Sequence, residues 1–69
     1  MAKQIDVRTK GGRTISYFWD DDGTIYKGRS FWSSGTKIGK ASTLEDALAV
    51  IKLDAEGQTG SPVEQVNVR

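Results

Sequence analysis

The chain has neither cysteine nor histidine among its 69 residues, and this constrains its folding more than any other feature. Domains of this size bury only about 60% of the surface their unfolded chains expose, and many compensate with disulfides or a structural metal. Here disulfide frameworks, zinc-finger ligand sets and thiol redox motifs are excluded. One domain is the ceiling, and it must be held by side-chain packing or by association. The same absence removes imidazole bases and thiolate nucleophiles, so a non-catalytic role without cofactor is expected.

Hydrophobic periodicity predicts an α+β domain: a three- to four-stranded antiparallel meander with one helix packed on one face. In Lys3–Thr9, Ile5 and Val7 alternate with Gln4, Asp6 and Arg8, as in a half-buried strand. Lys10-Gly11-Gly12 breaks the run. A second strand is expected over Arg13–Asp20, with Ile15, Tyr17 and Trp19 on its richer face. Asp20-Asp21-Asp22-Gly23 is the strongest hairpin signal in the chain, since aspartate bonds its own backbone in turns and glycine accepts positive φ. Three adjacent aspartates also raise a cation site, but the alternating spacing and distal glutamate of a calcium loop are missing. Thr24–Ser33 reads as a third strand and Lys37–Ala41 as a short fourth.

A helix is expected over Thr43–Glu56. Ser42 and Glu45 form a capping-box pattern, and Gly57 is the expected stop. Leu44, Ala47, Leu48, Ile51 and Ala55 form one stripe. Leu53 lies off it, either as a lone exposed leucine or as a dimer contact. Residues 1–57 are read as the compact domain. Residues 58–69 are read as a flexible loop followed by Val63–Val68, either a short C-terminal edge strand or a frayed tail.

Strand alternation also predicts which face is free. Lys27 and Arg29 share parity with Ile25 and Phe31, whereas Tyr26, Gly28, Ser30 and Trp32 take the other. Two neighbouring cations are poor candidates for the core of so small a domain. Tyr26 and Trp32 are therefore expected beneath the helix, where Gly28 and Ser30 leave it room. An even number of loop residues in the Asp-Gly hairpin would join them to Ile15, Tyr17 and Trp19. A three-residue bulged loop would reverse that match, and the even loop is preferred because it gathers the aromatics. The expected core is Ile5, Val7, Ile15, Tyr17, Trp19, Tyr26, Trp32, Leu44, Leu48 and Ile51.

The outer face would then carry Phe18, Lys27, Arg29 and Phe31, with Lys37 and Lys40 nearby. Exposed rings beside cations can stack on unpaired bases while neutralising phosphate. These six residues are the candidate contacts to DNA or RNA. Net charge is only +1, but residues 1–41 carry eight basic and four acidic side chains, while residues 42–69 carry two and five. That asymmetry suits an anionic partner for the sheet half. The alternative is a protein-interaction or self-associating module, with Ile25, Phe31 and Leu53 as exposed apolar contacts.

The run Ile38-Gly39-Lys40-Ala41-Ser42-Thr43-Leu44-Glu45-Asp46-Ala47 resembles the last-strand-to-helix junction of the plant AP2-type and integrase arm-type DNA-binding domains. The likeness extends over Ile38–Ala55. Those domains have arginine- and tryptophan-rich early strands, where this chain has only Arg13, Arg29, Trp19 and Trp32 at different spacing. The resemblance implies three strands followed by a helix, with the sheet entering the major groove. No run approaches the about 18 apolar residues of a membrane span, and the polar N-terminal stretch has no signal-peptide pattern. A cytoplasmic protein without membrane contact is expected.

Overall fold

The structure, a computed structural model, describes residues 2–69. Five strands and one helix follow in the order β1 (Lys3–Thr9), β2 (Thr14–Trp19), β3 (Thr24–Lys27), β4 (Thr36–Lys40), α1 (Leu44–Thr59) and β5 (Val63–Val68). They form an antiparallel sheet of spatial order β4-β3-β2-β1-β5. The meander runs from β1 to β4. α1 then crosses one face and delivers β5 to the far edge. Val63–Val68 is thus a strand, aligned by Val66 opposite Val7 and Val68 opposite Ile5. The helix follows a fourth strand, unlike the three-strand order implied by the DNA-binding resemblance.

Alternation places Ile5, Val7, Tyr17 and Ile25 under α1, where they meet Ala47, Ile51 and Ala55; all seven are fully buried. Ile15, Trp19 and Leu48 pack around them, half-buried. Small residues on the helix stripe let its axis approach the sheet. Gly39 contributes from the other side, since a Cβ there would lie 2.9 Å from Val50 Cγ1.

Two helix boundaries differ from expectation. The N-cap is Thr43, not Ser42: its Oγ1 accepts from the Asp46 amide at 3.1 Å. Leu44 is then the first helical residue and is 40% exposed. Gly57 does not end the helix. α1 continues one turn to Gly60, which takes the left-handed cap conformation at φ +70° and donates its N–H to the Glu56 carbonyl. The extra turn carries the chain past β1 before it reverses into β5.

The Asp20–Gly23 hairpin has an odd loop, which overturns the preferred register. Trp19 pairs with Ile25 and Phe18 with Tyr26, and Asp20 N–H donates to the Thr24 carbonyl. Asp21, Asp22 and Gly23 form the three-residue turn, with Gly23 at φ +92°. Ile25 therefore faces the helix and Tyr26 faces outward. Lys27 also lies on the helix side. Its aliphatic stem reaches the sheet margin, where the ammonium sits 3.4 Å from Asp54 Oδ1. A cation on the core face is tolerated because the side chain stays partly exposed and its head has a carboxylate partner.

Two aspartates outside the core tie the fold to pH. Asp6, on the outer face, accepts from Gln4 Nε2 at 3.0 Å and Ser16 Oγ at 2.8 Å, and lies 2.8 Å from Arg69 Nη2. The Gln4 bond, then Ser16 and Arg69, hold its carboxyl below the ordinary carboxylate range against the opposing effect of burial. Asp22 is lowered too, chiefly by the Thr24 amide, which donates to its Oδ1 at 2.9 Å. Lowered folded-state values mean that the unfolded chain binds more protons in acid. This stabilisation is complete above the unfolded value of about 3.9 and disappears as pH falls through the folded values. The urea midpoint should therefore drop from pH 5 to pH 2.5. Asp6→Asn should make that drop smaller, and an unchanged drop would refute the assignment of Asp6.

Candidate functional site

β3 ends at Lys27 because Gly28 turns the chain at φ +74°. Strand parity therefore does not extend to Arg29, Phe31 or Trp32. Residues 28–35 leave the sheet as a side loop that re-enters through Gly35, at φ +91°. The two ends of the loop touch, since a Cβ on Gly35 would stand 2.8 Å from the Lys27 carbonyl oxygen. Such contact requires glycine.

Within the loop is a tight two-residue hairpin. Ser30 N–H donates to the Ser33 carbonyl at 2.9 Å, and Ser33 N–H returns to Ser30 at 3.3 Å. Serine hydroxyls brace both sides: Ser30 Oγ accepts from Trp32 N–H, and Ser33 Oγ from Gly35 N–H. The two tip residues are Phe31 and Trp32, 91% and 90% exposed. Their rings meet edge to face, with centroids 5.0 Å apart at 73°. Trp32 was expected in the core; instead it stands with Phe31 in solvent.

Arg29 anchors the loop. Its guanidinium lies 5.1 Å from the Phe18 ring centroid and 4.7 Å from that of Tyr26, covering this cross-strand pair on the outer face. It also forks onto the Asp20 carboxylate at 3.1 and 3.2 Å, and its Nε donates to the Ser34 carbonyl. The bonds to Asp20 raise the arginine pKa further, so the guanidinium stays charged.

The six sequence candidates therefore do not share one surface. Phe18 is on the outer face, but Arg29 covers its ring. Arg29 is beside it, with its charge matched by Asp20. Lys27 lies on the opposite face, paired with Asp54. Phe31 is at the loop tip. Lys37 is exposed on the outer face opposite Tyr26. Lys40 lines an open cleft of about 520 Å³ with Trp19, Asp20, Asp21, Asp22 and Gly23, so its charge faces carboxylates. The new members of the site are Trp32, Tyr26 and Asp20. A signal for Trp32 exists in the sequence: Gly28 and Ser30 before the rings, and Ser33-Ser34-Gly35 after them, are turn formers.

Such a tip can bury rings against a partner. Among the described residues no group of three or more metal-ligating side chains converges, and no described helix is long and apolar enough to cross a membrane. The aspartate run serves the hairpin turn through Asp22, and the Arg29 fork through Asp20. Comparison with protein-family models, with curated proteins and with solved structures finds no match, so the chemistry of this site is read from its own geometry.

Proposed function

We propose that the chain is a small non-catalytic binding module that engages a partner protein through the Phe31–Trp32 tip. One observation carries this reading: two large rings stand in water at the end of a turn held from within. Neither ring supports the core, and neither is a residue that tight turns favour. Burying each ring on a partner is worth about 1.5–3 kcal/mol. Tryptophan is among the residues that dominate interface energetics. The braced turn also lowers the ordering cost of binding.

Nucleic acid is the second reading. It is favoured by Lys37, exposed beside the Tyr26–Arg29 stack, and by the ability of free rings to stack on bases. It is weakened by the carboxylate partners of Lys27 and Arg29.

The test is a pair of variants, Phe31→Ser and Trp32→Ser, alone and combined. Unfolding free energy should stay within about 0.5 kcal/mol of the parent, as for surface changes away from structural features. Crosslinking from position 32 should map a partner protein, and the double variant should lose it by more than tenfold, with or without nuclease. Loss on nuclease treatment, with salt-sensitive binding of a single-stranded oligonucleotide, would favour the second reading. Equal capture by parent and double variant would refute the tip as the contact.

A further inference from the structure

We infer that the free edge of β5 pairs with β5 of a second copy, joining two sheets into one of ten strands. This inference is independent of what the aromatic tip binds. β5 is one of the two outer strands. Arg69 N–H donates to the Gln4 carbonyl on β1 at 2.8 Å. By alternation Gln65 and Asn67 also turn their backbone groups to β1, while Val66 and Val68 turn theirs outward. Those outward N–H and C=O groups have no partner strand among the described residues.

The two edges of the sheet differ in how they are defended. β4 carries Lys37 and Lys40 and is bulged around Ile38, where the register with β3 shifts. Lysines and bulges discourage edge pairing. β5 contains no lysine and no proline. Its register irregularity lies at the start, between the pairs Arg8–Gln65 and Thr9–Val63. Gln65–Val68 is left regular.

Face parity selects the register. A two-fold axis through Asn67 places Val66 opposite Val68 of the second copy, and Val68 opposite its Val66. Both rungs then use the outward backbone groups and together form about four hydrogen bonds. Valine meets valine on the helix side, covering Val68, which is 38% exposed. On the outer face Asn67 meets Asn67, and the two amides can bond each other. An axis through Val66 would set Val68 against Glu64, and an axis between residues would mix the faces. A second copy in the Asn67-centred register thus satisfies both the ladder and the side chains. The antiparallel two-fold puts both helices on the same side of the joint sheet.

Asn67→Lys is the diagnostic variant. Within one copy residue 67 lies opposite Asp6, so a lysine there does not oppose folding. Across the axis it sets two lysines face to face. Sedimentation of the parent chain up to millimolar concentration should show a monomer–dimer equilibrium. Amide exchange at Val66 and Val68 should slow as concentration rises. Asn67→Lys, with native circular dichroism, should raise the dissociation constant at least tenfold. A parent chain that stays monomeric at millimolar concentration overturns the inference. So does a dimer that persists in Asn67→Lys or leaves the Val66 and Val68 amides unprotected.

Discussion

Tyr17→Ala is expected to leave the chain unfolded at room temperature. Tyr17 heads the fully buried side chains by volume. It sits in the middle strand, opposite Ile5 on one side and Lys27 on the other. Removing a buried aromatic ring costs about 3–5 kcal/mol, partly as lost transfer energy and partly as a cavity. The loss here goes further, because the Tyr17 hydroxyl donates to Asp54 Oδ2 at 2.7 Å. Burial first, then the neighbouring carboxylate, push the phenol pKa up, so the hydroxyl remains a donor. Asp54 also holds Lys27, and loss of Tyr17 leaves that ion pair over a void. Domains have roughly 0.05–0.15 kcal/mol of stability per residue, which places the whole of a chain this size in the same range as the loss. Far-UV circular dichroism and urea titration provide the measurement. Tyr17→Phe keeps the ring and loses only the hydroxyl bond, so it should fold with a deficit of about 1.5–3 kcal/mol, as for bonds to charged groups. A folded, cooperative Tyr17→Ala would show that the core does not centre on this ring.

Gly23→Ala should cost far more than a methyl added at a turn glycine with open space around it. The backbone at Gly23 is left-handed, φ +92°, and a non-glycine residue held in such a region costs about 1–3 kcal/mol. Space is the second problem. A Cβ at Gly23 would lie 2.7 Å from the Ala41 carbonyl oxygen, a backbone atom that cannot swing away. That carbonyl also accepts from Trp19 Nε1 at 3.0 Å, and the Ala41 amide donates to the Gly23 carbonyl at 2.8 Å. Moving Ala41 aside breaks contacts on both sides of the β4–α1 junction. Gly12→Ala separates the two effects. Gly12 is also left-handed, at φ +88°, but has nothing within 4 Å of the added carbon. It should therefore show the conformational cost alone. Matched urea midpoints are the readout. Equal losses at the two positions would mean that the Ala41 contact contributes nothing.

Local pattern was enough for the order of elements from β1 to α1. Ile5 and Val7 alternate without interruption, so β1 could be read directly. Ile15, Tyr17 and Trp19 took the helix side as their spacing implied. The helix stripe was legible because Ala47, Ile51 and Ala55 repeat at a helical period. Val63–Val68 was ambiguous alone, since an edge strand of alternating valines looks like a tail until β1 offers it a register.

The site was less legible, and its residues show why. Reading Lys27, Arg29 and Phe31 as one face assumed a strand unbroken to Ser33, but Gly28 interrupts it. Placing Trp32 in the core followed from turning Lys27 and Arg29 to water, yet Lys27 lies on the helix side and Gly28 ends the strand before Trp32. The candidate platform at Phe18 became a covered stack because Asp20, at the end of β2, draws the Arg29 fork across the rings. None of these contacts is local in sequence.

What the amino-acid order determined by itself is the succession of elements from β1 to α1 and the period of each, because periodicity and turn chemistry act over a few residues. What only the tertiary structure decided is the parity of the Asp21–Gly23 turn, and with it which side of β3 meets the helix. Asp-Asp-Gly suits two-residue and three-residue loops alike. The choice falls to the contacts that each loop permits with Ala41 and the helix, and those exist only once the chain has folded.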